Sequence, residues 1–313
     1  VTVSVLYWLK QLSMPGKLSL VGLGLGDEKD ITVRGLETVK AADTVFLEAY
    51  TAILSDATRL EATFGKPCVV ADRDMVESGE VLDDAKAGKH VALLVVGDPF
   101  GATTHSDLVV RCEELGITVD VVHNASILNA VGCCGLQLYR FGQVLSLCFW
   151  TPTWRPTSWF DRLVENRRAG THTLLLLDIK VKEVSDENLA RGRRIFEPPR
   201  FMSVNQAVEQ LLAVEAERKT GAIGPDTIAC GVARVGAADQ KVVFAPLSKL
   251  GSIDFGAPLH SVVVAGDIHE CETDHVMLLV DKDAEGKPVC TKEALLNNRV
   301  AAVPAAVECS KDE

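Results

Sequence analysis

The sequence predicts an α/β fold in two domains, the first built on a mostly parallel sheet and the second on a mixed one. Three observations carry this. Apolar runs alternate with amphipathic ones over the first 123 residues, the pattern of a parallel sheet with crossover helices. Two of the strand ends in that region are glycine-rich, at Gly24 to Gly26 and at Gly97 to Gly101. After His123 the rhythm changes, and a length of 313 residues suits two domains.

In the first domain, strands are expected over 18–23, 44–47, 68–70, 91–96 and 118–122, and helices over 32–41, 80–87 and 106–115. The stretch 123–142 reads as a linker leading into a helix. A strand over 144–149, a helix near 158–169 and a strand over 171–177 follow. Ser203 with Gln206 three residues later is a capping-box start to a long amphipathic helix. Strands over 227–233, 241–244 and 261–265 come in hairpin-like order, so antiparallel pairing is expected. The domains are read as 14–123 and 124–281. Residues 282–313 read as a loose tail, and residues 1–13 as lying outside the fold.

Composition is that of a globular chain with a real core: 47% hydrophobic and 24% charged residues. The net charge of −11 repels phosphate backbones, which disfavours nucleic acid as a partner. Nine cysteines without a Cys-x-x-Cys spacing point to a reduced, cytoplasmic protein rather than a disulfide framework or metal site. The longest apolar runs, such as VALLVV, are too short to span a bilayer. Adjacent Cys133 and Cys134 read as core packing. The tryptophans at 150, 154 and 159 are candidates for a domain or subunit interface.

The stretch LVGLGLGDEKDIT invites a dinucleotide reading. Gly22 and Gly24 fit the Rossmann fingerprint, and Glu48 ends the next strand at the right distance. The third fingerprint position, however, is Asp27, a charged side chain where close helix packing demands a small one. The helix also starts late, near Thr32, away from any pyrophosphate above the loop. A Walker loop is excluded, because no Gly-Lys-Ser/Thr follows. The second loop, VVGDPFGATTH, follows the most apolar strand. Gly-Asp-Pro makes a sharp turn, with Pro99 fixing φ, and holds Asp98 at the strand's carboxyl end.

A strand ending in V-G-x-G-x-G-D followed by a G-D-P loop resembles the tetrapyrrole-methylase class of S-adenosylmethionine-dependent methyltransferases. Leu25 stands where that class usually has Pro. The stretches GLGLGDEKDITVRGLE, VFLEAYT, GDPFGATTHSDLV, HNASILNAVGCCGLQLYRFG, TWRP, LLLLDIKVKE, EPPRFMSVNQA and GVARVGA are similar, within that class, to the diphthine synthase family in its eukaryotic branch. The match runs in order from about Leu18 to Gly266. The resemblance implies two α/β domains with S-adenosyl-L-methionine held in the interdomain cleft, S-adenosyl-L-homocysteine as product, and no metal. It implies a cofactor pocket of Leu25, Asp98, Gly101, Ser126, Ile127, Leu177, Val235 and His260. The protein substrate is then elongation factor 2, methylated on a modified histidine: on its amino nitrogen and, in the eukaryotic form, on its carboxylate. It also implies a homodimer.

The residues add less about the substrate. Tyr50 is placed near a strand end, and Arg155 and Arg200 are candidate carboxylate or protein contacts. Against them stands an ordinary salt bridge for each arginine. No residue declares itself as the catalytic base. Three alternatives remain open: a same-fold methyltransferase acting on a tetrapyrrole or ribosomal RNA, a dinucleotide-dependent oxidoreductase, and a non-catalytic protein that docks on the elongation factor.

Overall fold

The computed structural model describes residues 16–50, 57–183, 188, 191–193 and 195–300. Residues 1–13 therefore lie outside the described residues. Strands β1 (Lys17–Gly22), β2 (Thr44–Glu48), β3 (Val69–Ala71), β4 (His90–Val95) and β5 (Thr118–Val122) form one sheet in the order β3-β2-β4-β1-β5. Its pairings are all parallel. The reason is legible in side-chain parity. Leu18, Leu20, Val91, Leu93 and Val95 enter one apolar cluster, while Val21, Val45, Leu47, Ala92 and Leu94 enter another. A strand apolar at both parities must be covered on both faces. Helices α1 (Val33–Ala41) and α2 (Ala57–Phe64) cover one face through Val39, Leu60 and Phe64. Helices α3 (Arg73–Ser78), α4 (Asp83–Lys86) and α5 (Ser106–Leu115) cover the other through Val76, Ala85, Leu108 and Cys112. The late start of α1 is as expected: Thr32 caps it, its hydroxyl accepting from the Gly35 N–H at 2.9 Å. The helix expected over 80–87 is instead a 3-10 turn, Glu80–Leu82, running into the short α4. A further short helix, α6 (Ile127–Ala130), follows β5.

The second sheet contains β6 (Leu145–Leu147), β7 (Thr173–Leu177), β10 (Ile228–Ala233), β11 (Lys241–Pro246) and β12 (His260–Val264), in the order β11-β10-β12-β7-β6. Three pairings are antiparallel and β6 with β7 is parallel, so the mixed sheet is as expected. β8 (Ile179–Lys180) and β9 (Arg200–Phe201) form a separate two-stranded ribbon. Helices α7 (Trp159–Arg168) and α8 (Val204–Arg218) bring Phe160, Leu163 and Leu211 into one core with Leu175, Val262, Val264 and Phe255. The capping box at α8 forms as read: Ser203 Oγ accepts from the Gln206 N–H, and Gln206 Oε1 accepts from the Ser203 N–H. Helices α9 (Leu247–Leu250), α10 (Glu270–Leu279) and α11 (Lys292–Leu296) complete the described chain.

Three further sequence expectations need correction. Among the described residues, those up to Ala130 together with Val235–Ala238 form one compact unit, and those of 131–234 and 239–300 form the second. The break thus falls beyond the expected 123. The stretch 123–142 is no linker, because Val131, Cys134 and Leu136 are buried in the fold. Of the expected tail 282–313, residues 301–313 lie outside the described residues and 282–300 are not loose. Leu295 of α11 is fully buried. Asn298 accepts from the Ile228 N–H at 2.9 Å and donates to the carbonyls of Ala265 (3.0 Å) and Gly266 (3.2 Å). The buried Arg167 donates to the Asn298 carbonyl at 3.1 Å, and also to the carbonyls of Ala222 and Ala265. The segment looked loose because polar bonds rather than an apolar stripe fix it. Asn298→Ala strands the Ile228 N–H and removes two donors, so it is expected to cost about 2–3 kcal/mol, read as a lower urea midpoint at unchanged slope.

Candidate functional site

The carboxyl edge of the parallel sheet gathers three loops. In the strand order, β1 lies between β4 and β5, and ligands of such sheets bind beyond these ends. The two glycine loops are tied directly. Gly24 N–H donates to the Gly97 carbonyl at 3.2 Å, and Gly97 N–H donates back to Gly24 at 2.8 Å. Both glycines have positive φ, +78° and +81°, a conformation that disfavours side chains. A Cβ on Gly26 would lie 2.6 Å from the Gly236 carbonyl oxygen, so the glycine there admits the turn 235–238 against the first loop. That turn counts with the first unit, and Val235 in it is half-buried.

Asp98 organises this edge. Its Oδ1 accepts from the Phe100 N–H at 2.9 Å, and its Oδ2 accepts from the Asn124 N–H at 3.0 Å and from His123 Nδ1 at 2.8 Å. Burial raises its pKa, but these three donors outweigh burial and hold the carboxyl below its ordinary value. Much of its acceptor capacity is thus spent on β4 and β5 loop backbone and on His123. Asn124 adds the third tie, donating to the carbonyls of Gly22 and Asp30, both at 3.0 Å. Asp30 in turn accepts from the Gly26 N–H at 2.8 Å. Sequence reading passed over His123, Asn124 and Asp30. The signal for the first two was their place directly after β5, at the same sheet edge as the loops that were read.

Gly101 packs on Ser126. A Cβ there would lie 2.5 Å from Ser126 Cβ. The neighbouring Ala102 is held at φ +64°, strain of the kind that collects at functional loops. Ser126 is buried and its Oγ accepts only a long 3.3 Å bond from the Leu128 N–H. Leu25 and Ile127 are half-buried on this unit.

The second unit places the remaining candidates. Leu177 ends β7 half-buried at the rim of the core. His260 opens β12. Its Nε2–H donates to the Ala257 carbonyl at 3.0 Å, and its Nδ1 accepts the Val204 N–H at the start of α8 at 3.4 Å. Burial is the chief cause of its lowered pKa, so the ring is neutral with both nitrogens bonded within the chain. Arg234, at φ +49°, binds Asp239 and the carbonyls of Phe255 and Ala257.

Each substrate candidate has its own local surroundings. Tyr50 is buried in the first unit's core, its phenol pushed up to about 12 by burial and then by Glu48. Arg200 donates to Glu183 at 2.6 Å over the Phe149 ring, and Arg155 stacks on Trp150. Trp159 is buried in the core, while Trp154 is exposed. Cys134 is buried, its thiol pushed up to about 12 by burial. A cavity of about 680 Å³ in the second unit, lined by Arg140, Asp267, His269 and Arg299, contains none of the expected residues. Among the described residues, no His, Cys, Asp or Glu group of three is arranged to hold a metal. No described helix is long and apolar enough to cross a membrane.

The family model of Tetrapyrrole (Corrin/Porphyrin) Methylases matches residues 17–251. The chain belongs to this family. Among its relatives is a protein of Emericella nidulans named diphthine methyl ester synthase, 59% identical and aligned over 83% of this chain and 92% of that one. The Homo sapiens protein of the same name is 55% identical, over 83% and 94%. A crystal structure of diphthine synthase superposes with a TM-score of 0.71 at 37% identity, covering 86% of this chain and 97% of that one. This methylase thus has α/β sheets of the kind its relatives share, and it is a methyltransferase.

Proposed function

We propose that this methylase transfers methyl groups from S-adenosyl-L-methionine to the modified histidine of elongation factor 2, on the amino nitrogen and on the carboxylate. The observation that carries the reading is the tied glycine edge: two loops bonded reciprocally through Gly24 and Gly97, in a chain 55% identical to a human protein whose name specifies a diphthine methyl ester. The residues fit such a donor. Half-buried Leu25, Ile127 and Val235 offer apolar contact for an adenosine, and Ser126 keeps a hydroxyl proton to donate. Leu177 and His260 are assigned to the same pocket by resemblance, with His260 acting through its grip on the start of α8. Asp98 sets the shape of the edge. The donor, when bound, supplies an electrophilic methyl on a sulfonium. The chain's own task is alignment and exclusion of water. By the same resemblance the protein works as a homodimer, and its cysteine usage supports a cytoplasmic location.

The test is intact mass. Elongation factor 2 carrying the unmethylated intermediate is incubated with this protein and S-adenosyl-L-methionine. Four methyl increments are the expected result. Three would remove the ester step, and none, with S-adenosylhomocysteine binding shown separately, would mean a different acceptor such as a tetrapyrrole or ribosomal RNA.

A further inference from the structure

Methylating an amine and methylating a carboxylate make different demands. A carboxylate at neutral pH is already a nucleophile. An aliphatic ammonium is not: it must give up a proton before its nitrogen can attack. A protein that performs both reactions needs a proton acceptor for one and none for the other.

Few of the described side chains suit that task. The phenol of Tyr50 is pushed up to about 12, and the buried thiols are pushed up as well. Imidazole is the group that exchanges protons near pH 7, and the chain has seven histidines. His172 is fully buried against Glu272 and the Gly266 N–H. His260 has both nitrogens bonded to backbone. His105 is buried, with Nδ1 on the Pro99 carbonyl. His90 sits at the opposite, amino end of β4. His269 and His275 belong to α10 and its cap. His123 alone among them stands exposed at the carboxyl edge of the parallel sheet, directly after β5.

Its setting is that of an oriented base. Nδ1 lies 2.8 Å from Asp98 Oδ2, and the His123 side chain is 67% exposed while that of Asp98 is 14% exposed. An ionised Asp98 fixes the proton on Nδ1 and leaves the Nε2 lone pair outward. It also stabilises the imidazolium formed when that lone pair takes a proton, as the carboxylate does in a catalytic triad. The Phe100 ring packs 6.1 Å away by centroid and limits the ring's swing. Exposure gives the proton a route to water.

We infer that His123, oriented by Asp98, is the proton acceptor for the amine methylations and is dispensable for the ester. This rests on the proposed acceptor. In each amine step the substrate N–H bond breaks and its proton goes to His123 Nε2. The freed nitrogen pair forms the N–CH3 bond, the methyl–sulfur bond breaks, and its electrons stay on neutral S-adenosylhomocysteine. The proton then passes to water. In the ester step a carboxylate oxygen forms the O–CH3 bond, and no proton is moved.

The experiment compares wild type with His123→Gln and His123→Ala on two forms of elongation factor 2: the unmethylated intermediate, and the trimethylated amine with its carboxylate free. Melting temperature and S-adenosylhomocysteine affinity are measured alongside. The expected result is at least a ~100-fold slower amine methylation, with ester formation and product affinity within about threefold of wild type. Unimpaired amine methylation in both variants overturns the inference. Equal loss on both substrates, with affinity intact, also overturns it and makes His123 a substrate-docking residue. A wild type that modifies neither form overturns the acceptor reading itself, and the inference with it.

Discussion

Gly101→Val is expected to lower affinity for S-adenosylhomocysteine about 100-fold, a loss of roughly 3 kcal/mol. Gly101 does not have a positive φ, so its role is space rather than conformation. A Cβ would meet Ser126 Cβ at 2.5 Å and Ser126 Oγ at 2.6 Å, distances no folded chain tolerates. Either the 98–101 turn or the start of α6 must give way. Asp98 joins both through its bonds to Phe100, His123 and Asn124, so the shift spreads along the edge. The cores beneath are untouched, and overpacking at one site costs about 1–3 kcal/mol. The variant should therefore remain folded, as judged by a cooperative melting transition. Calorimetric titration reads the affinity, and an unchanged value would remove Gly101 from the binding edge.

Glu272→Ala should do the opposite: little to the binding edge, much to stability. Glu272 and His172 are both fully buried. The Gly266 N–H donates to His172 Nδ1 at 2.9 Å, which leaves the ring proton on Nε2 to donate to Glu272 Oε1 at 3.2 Å. The carboxylate also accepts from the N–H groups of Gln137 (2.8 Å) and His269 (2.7 Å). Burial alone would raise its pKa, but the bonds from His172, Gln137 and His269 hold it down to about 2. Removing the carboxylate strands the fully buried His172 Nε2–H and leaves the part-buried Gln137 and His269 N–H groups without their acceptor, so a loss of about 3–5 kcal/mol is expected in urea unfolding. The pH dependence has a definite sign. The folded pKa lies below the ordinary 4.5, so the unfolded chain binds the proton more readily. The resulting stabilisation of about 3 kcal/mol is complete above pH 5 and is lost as pH falls towards 2. Glu272→Gln should flatten that acid limb, and a limb unchanged in this variant would place the acid sensitivity elsewhere.

Much of the fold was written in local sequence. Alternating apolar runs located the five parallel strands, because strands apolar at both parities have to be buried on two faces. Ser203 and Gln206 announced α8, and Asp27 spoke against the dinucleotide fingerprint by the size and charge of its side chain. These signals are short-range, a few residues that fix backbone geometry or packing by themselves. The family too was legible, through loop stretches whose spacing is local.

Tertiary structure decided what the polar side chains do. Asp98 was visible as the residue of a sharp turn, but only the placement of β5 beside β1 brings His123 and Asn124 to its oxygens, 25 and 26 positions further along. Arg200 was readable either as a substrate contact or as an ordinary salt bridge, and only the fold names Glu183 as its partner. Tyr50 looked like an edge residue and is buried. The segment 282–300 looked loose because its hold comes from Asn298 and Arg167, which reach backbone carbonyls from elsewhere in the chain. The physical reason is common to all four. Apolar periodicity is imposed by the nearest neighbours in the chain, whereas a polar group's partner is set by whichever distant segment the fold delivers to within about 3 Å.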